Sequence, residues 1–262
     1  GAPSESEVLF TKNATEAINL VAHSWARNNL VAGDVVLVTE LEHHANIVPW
    51  HQLSVERGVE LRWIPLTEDG RLNLDDLDNL LDRVKLVGVS AVSNVLGTIT
   101  PVRQLADAAH AVGALCLVDA CQSVPHLPTD VVELGADFLA FSGHKMCGPT
   151  GVGVLWGRTE LLEAMPPFLG GGEMILNVTR DGFVPNELPW KFEAGTPPIA
   201  EIVGLGAAVD YLTGLGMDAV RSHERELTDY ALNTLGDRFG GDLVIHGPTD
   251  LDERSGVLSM CY

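Results

Sequence analysis

Residues 141–155 read FSGHKMCGPTGVGVL, and within them Ser142, His144, Lys145 and Cys147 place a hydroxyl, an imidazole, an amine and a thiol close together. Each points to different chemistry. Lys145 stands at the rim of the apolar run DFLAF. A lysine buried there loses solvation as a cation, its pKa falls, and the amine becomes a nucleophile suited to Schiff-base chemistry. Read alone, it is equally a solvated loop lysine. Asp119 closes another apolar run, ALCLV. Its carboxylate is expected at a buried edge, either capping the following segment or holding a cationic nitrogen. An amine and a carboxylate at the ends of neighbouring strands favour a shared site over coincidence.

GHKMCGPTGVG does not form a P-loop, whose lysine needs Ser or Thr next; here Met146 follows. No G-x-G-x-x-G opens a helix, so nucleotide binding is disfavoured. A smaller phosphate fits Thr15, at the expected start of a helix, where free N–H groups and the dipole favour an anion. EHHANIVPWH holds His43, His44 and His51 but no H-E-x-x-H. On a helix starting near Asn46, His51 points away from the strand end. One histidine of this loop lying flat over an aromatic ligand is better supported than zinc.

The elements that position these residues alternate along the chain. SEVLFT, DVVLVT, VELRWIPL, VKLVGVSAVS, ALCLVDA, DFLAFSG and GVGVLWG read as strands. Between them, NATEAINLVAHSWARNN, NIVPWHQLSVERG, LDDLDNLLD, VRQLADAAHAVG and VVELGA carry helical spacing. Asn13 with Glu16 suggests a capping box, and Gly58 a helix stop. β-branched runs separated by amphipathic helices predict an α/β fold with a mostly parallel sheet buried on both faces. The short connection from DFLAFSG to GVGVLWG predicts one antiparallel pair. From EIVGLGAAVDYLTGLG onward two long helices and short strands follow, read as the start of a smaller domain. The expected division is residues 1–205 and 206–262.

Ligands of such sheets bind beyond the carboxyl ends of the strands. Thr15, His43 to Asn46, Ser93 and Asn94, Asp119 to Gln122, and Ser142 to Lys145 all fall at those ends, as one site.

Of 262 residues, 46% are hydrophobic and 20% charged, an ordinary globular composition. The net charge of -20 repels a phosphate backbone, so nucleic acid is not an expected partner. Cys116, Cys121, Cys147 and Cys261 form no C-x-x-C pair, which fits a reducing cytoplasm rather than a disulfide framework. No apolar run reaches membrane-spanning length, and GAPSESEVLF lacks the marks of a signal peptide. The chain opens directly into a strand-like run and stops at GVLSMCY, inside another, as expected of a piece of a longer protein.

EHHANIVPW, SNVLGT, VDACQSVPH, FSGHKMCGPTGVGVLWG and FEAGTP together resemble the pyridoxal-phosphate-dependent cysteine desulfurases of the class V aminotransferases. The branch most resembled serves iron–sulfur cluster assembly and is related to selenocysteine lyase. The motifs lie in order over essentially the whole chain. The resemblance implies the fold type I of PLP-dependent transferases: a mostly parallel seven-stranded sheet with flanking helices, then part of a smaller α+β domain. It also implies a homodimer that converts L-cysteine to L-alanine and passes sulfur, through an enzyme persulfide, to a protein acceptor.

By the same resemblance, Lys145 bonds the cofactor pyridoxal 5'-phosphate, and Asp119 pairs with the pyridinium nitrogen so that the ring acts as an electron sink. Gln122 hydrogen-bonds the ring's phenolic oxygen. His43 stacks on the ring and shuttles protons, and Asn94 lies near the ring oxygen and the substrate carboxylate. Thr15, Ser142 and His144 hold the phosphate, and Thr196 reaches the phosphate of the other subunit. Ala14 stands where the family often has a second threonine, and Cys147 where it often has an aromatic residue. The family's sulfur-accepting thiol and its substrate-binding arginine come from beyond the region equivalent to GVLSMCY. The four cysteines here read as small core or loop residues. Rival readings are a selenocysteine lyase, an aminotransferase or kynureninase-like hydrolase of the same fold, and a non-catalytic binding partner of a sulfur acceptor. Lys145 and Asp119 argue against the last.

Overall fold

The computed structural model describes residues 1–262. The first half of the chain alternates as its hydrophobic pattern requires: β1 (Val8–Thr11), α1 (Ala14–Leu20), α2 (Arg27–Asn29), β2 (Val35–Thr39), α3 (Val48–Arg57), β3 (Glu60–Ile64), α4 (Leu77–Leu80), β4 (Val84–Ser90) and α5 (Val102–Ala111). There follow β5 (Leu115–Asp119), α6 (Val131–Leu134), β6 (Phe138–Ser142), β7 (Gly153–Gly157), α7 (Thr159–Ala164), β8 (Ile175–Val178), β9 (Phe183–Pro185), α8 (Ile199–Leu215), α9 (Met217–Phe239), β10 (Val244–His246) and β11 (Ser259–Cys261).

β1 to β7 form a seven-stranded sheet in the order β1-β7-β6-β5-β4-β2-β3. The pairings among β2 to β6 are parallel. Side chains alternate between faces along each strand, so a sheet covered on both sides needs apolar residues throughout. Val36 and Val38 accordingly join one core cluster with Leu86, Leu117 and Phe138. Val35 and Leu37 join a second on the opposite face with Val87, Val89 and Val118.

The sheet has two antiparallel pairs rather than the single one expected. β7 runs antiparallel both to β6 and to β1, because the opening strand inserts at the sheet edge beside β7. The helix expected over LDDLDNLLD shrinks to the single turn of α4. The hairpin of β8 and β9 lacked any clear strand signal and leaves Leu176, Val178, Phe183 and Val184 exposed. Residues 205 and 206, the expected domain division, both lie within α8.

α1 begins as its sequence directs. Asn13 caps it, its side chain accepting from the Glu16 N–H. The capping box is incomplete: the Glu16 carboxylate accepts the N–H of Lys12 at 2.7 Å, not that of Asn13. The helix continues through a π-helical stretch, Val21–Ala26, into α2. Its start is set against β7 by Gly153, where an added Cβ would lie 2.5 Å from the Asn13 Cα.

Candidate active site

The parallel strands end in register. Ser90 of β4 is opposite Asp119 of β5, and Asp119 is opposite Ala140 of β6. Beyond these ends lies a cavity of about 230 Å³. Its walls carry Thr15, His43, Asn94, Asp119, Gln122, Ser142, His144 and Lys145, which the sequence had placed in one site. Asn13, Ser90 and Cys121 complete the polar lining.

Asp119 is 5% exposed. One oxygen accepts the Cys121 N–H at 3.0 Å, the local turn that the capping reading anticipated. Burial holds its carboxyl above the usual range, opposed by hydrogen bonding to Cys121 and by electrostatic interaction with the nearby His43 and Lys145. Asp119 thus places a buried carboxyl group with spare acceptor capacity on the cavity wall.

Of the two environments the sequence left open for Lys145, the structure shows the exposed one. Its turn, Gly143–Lys145, leaves the sheet, and the side chain is exposed at the cavity rim rather than buried. The turn is nonetheless fixed, because the Gly143 carbonyl accepts the N–H of both Met146 and Gly148 at 3.0 Å. Lys12 pairs with Glu16 and Lys191 donates to the carbonyls of Leu162 and Glu163, whereas Lys145 has no acidic partner.

Opposite Asp119, donors gather. Ser142 Oγ accepts the Ala14 N–H at 2.9 Å, which leaves the hydroxyl proton to donate elsewhere. The side-chain oxygens of Ser142 and Asn13 take the N–H groups of Ala14 and Glu16, and Thr15 between them lines the cavity. His144 stands beside them. His43 Nδ1 accepts the Ala45 N–H at 3.2 Å, so in the neutral ring the proton sits on Nε2.

Other candidates fall away. Ser93 is fully buried and caps its own turn, accepting from Val95 and Leu96 N–H. The His51 ring lies 6.3 Å from that of Trp63 and does not line the cavity. Thr196 is exposed in a different groove with Phe10, Lys12 and Glu16, so a single chain does not bring it to the site. Burial pushes the Cys116 thiol far up, helped by Asp137 and Glu42. Burial and then the Asp119 charge push the Cys121 thiol up to about 12. Cys147 is exposed with a φ of 63° on the tight connection, and Cys261 is exposed on β11.

One residue of the EHHANIVPW motif was given no role by the sequence reading: the buried Glu42, immediately before His43. Its Oε1 accepts from Thr39 Oγ1 at 2.7 Å and the Ser90 N–H at 2.8 Å. Its Oε2 accepts from Asn46 Nδ2 and Ser90 Oγ, both at 2.7 Å. The signal available was an acidic residue beside a buried strand end.

The set matches a ligand that is cationic at one end and anionic at the other. Asp119 suits the cationic end, and Thr15, Ser142 and His144 the anionic end. Between them are an amine, Lys145, an amide, Gln122, and the imidazole of His43.

The sequence profile of the aminotransferase class-V family matches residues 1–262. A probable cysteine desulfurase of Streptomyces coelicolor is 52% identical over 263 residues, which cover 98% of this chain and 62% of that protein. A cysteine desulfurase of Haloferax volcanii is 51% identical over 254 residues, 97% of this chain and 59% of its own length. The crystal structure of the Escherichia coli cysteine desulfurase CsdA superposes with a TM-score of 0.93 at 39% identity, covering 99% of this chain and 64% of that one. The chain therefore spans about 60% of the length of the curated relatives it matches.

Proposed function

We propose, for a chain that belongs to the aminotransferase class-V family, that it is the cofactor-binding part of a cysteine desulfurase, with pyridoxal 5'-phosphate held in the cavity between Asp119 and Thr15. The fold is the fold type I arrangement of pyridoxal-phosphate enzymes. The observation that carries the reading is the pairing of a buried carboxylate, Asp119, with an unpaired amine, Lys145, across one cavity.

Bound there, the pyridoxal ring supplies an electron sink for bond breaking next to the substrate α-carbon. Asp119 keeps the ring nitrogen protonated. Lys145 Nζ would be the amine that holds the cofactor and, when free, would move the proton at the substrate α-carbon. Gln122 donates to the phenolic oxygen, and Asn94 stands near it and the substrate carboxylate. Thr15, Ser142 and His144 donate to the phosphate. His43 covers the ring face and offers Nε2 for proton transfer.

The proposed net reaction takes sulfur from L-cysteine. A thiolate attacks the substrate sulfur, an S–S bond forms as the C–S bond breaks, and a proton completes the methyl group of L-alanine. That thiolate needs a lowered pKa and a mobile position over the ring. Cys116 and Cys121 have raised pKa values, and Cys147 and Cys261 lie off the cavity wall. The reading therefore assigns the sulfur-accepting thiol to residues outside 1–262. Thr196, on its separate groove, is proposed to serve the partner's phosphate in a homodimer. A protein sulfur acceptor, a role in iron–sulfur assembly and a reducing cytoplasmic setting belong to the same reading, as does the division at 205/206. Four free cysteines are compatible with the reducing setting.

The test is turnover by the cofactor-loaded protein in its natural full length. L-cysteine should yield alanine and sulfide in equal amounts under reductant, and Lys145→Ala should yield neither. Turnover of selenocysteine alone would favour the lyase reading, and no bound cofactor would remove the enzyme reading altogether.

A further inference from the structure

Glu42 sits between two parts of the cavity wall. Its carboxylate takes two donors from Ser90, at the end of β4, and one from Asn46, at the far side of the His43 turn. Asn46 is oriented for this because its Oδ1 accepts the Trp50 indole N–H at 3.0 Å, leaving its NH2 for Glu42. The network is closely fitted: a Cβ at position 88 would lie 3.0 Å from Asn46 Oδ1, and glycine stands there. The Asn46 N–H donates to the His43 carbonyl at 2.8 Å, closing the turn. Ser90 is in turn paired in register with Asp119.

We infer that Glu42 is a positioning residue that fixes the His43 imidazole relative to Asp119 by bolting the 42–46 turn to the end of β4. The inference rests on the functional reading only for what His43 then does, not for its position. Four donors and a carboxylate with four lone-pair directions form a saturated set. Glutamine keeps the shape but turns an NH2 toward one hydroxyl, which can reverse and accept, and one N–H donor (Asn46 Nδ2 or the Ser90 N–H), which cannot, so the turn must move to relieve that repulsion. Burial supports the point, since it has raised the Glu42 carboxyl despite those four hydrogen bonds.

The experiment is carbon–proton NMR of the histidine rings in the unloaded chain, comparing wild type with Glu42→Gln. Glu7→Gln is the control. Glu7 is another buried carboxylate, accepting from Trp156 Nε1 and from Thr159, well away from the cavity. We expect Glu42→Gln to shift the His43 ring signals more than those of any other histidine, and Glu7→Gln to lower stability without moving them. Pyridoxal phosphate should bind Glu42→Gln on the order of tenfold more weakly, the scale seen when an outer partner of a ligating group is removed. If Glu42→Gln does not fold, Ser90→Ala, which removes one donor, should shift His43 in the same way to a smaller extent. Unchanged His43 signals in these variants would overturn the inference. Failure of the wild-type chain to bind pyridoxal phosphate would instead strike the functional reading, leaving the ring signals to decide the position.

Discussion

Glu42 sets two large effects against each other. Burial raises its carboxyl from 4.5 to about 7, while hydrogen bonds from Thr39, Asn46 and Ser90 pull the other way. The folded state therefore holds the Glu42 proton more tightly than the unfolded chain does. The stability this contributes is fully present below about pH 4.5 and is lost as pH rises through about 7. A shift from 4.5 to about 7 corresponds to about 3 kcal/mol. Cys116, the neighbouring thiol that feels Glu42, has a raised pKa and stays neutral over this range. The measurement is the unfolding free energy from urea titrations between about pH 5 and 8, for wild type and Glu42→Gln. Subtracting the two curves cancels the other titrating groups. The wild-type-minus-variant difference should fall by most of that amount as pH rises. A flat difference, or one that rises with pH, would show that the four donors outweigh burial and would refute the reasoning.

Further outcomes follow from the same geometry. Asp119→Asn removes a carboxyl whose ionisation burial disfavours, so the unloaded chain should melt higher. Its affinity for pyridoxal phosphate should fall by about thirtyfold, from about 2 kcal/mol of lost charged hydrogen bond, in a spectral titration. Gly153→Ala must displace the Asn13 backbone, which lies 2.5 Å from the new Cβ, and should cost about 1–3 kcal/mol in urea unfolding. Phe138→Ala, at a fully buried site on β6, should cost about 3–5 kcal/mol. Cys147→Ser should leave cofactor binding unchanged, since Cys147 does not line the cavity.

The sheet was legible because its strands are short apolar runs bounded by turn residues, and the polar residues at their ends are the cavity wall. Asp119, Ser142 and Thr15 could be placed together from that pattern alone. Lys145 could be located but not its exposure, which depends on the turn at 143–145 swinging clear of the sheet. Glu42 stood in a quoted motif, but its role was hidden because the pairing that ties it across the sheet, to Ser90 of β4, spans 48 residues and Ser90 looks like an ordinary strand-end hydroxyl. Insertion of β1 beside β7 was likewise a long-range pairing with no local signature. Thr196 stays apart from the cavity in one chain, and only the family resemblance gives it a role.

The central claim is that Lys145, and not another amine, anchors pyridoxal phosphate in the Asp119 cavity. The chain contains only four lysines, at positions 12, 85, 145 and 191. Reduction with borohydride after loading, followed by peptide mass analysis, reads the attachment directly. The account predicts visible absorption on loading and the mass of the reduced cofactor on the peptide containing Lys145, both lost in Lys145→Ala. Label spread over Lys12, Lys85 and Lys191, or retained in Lys145→Ala, would contradict it.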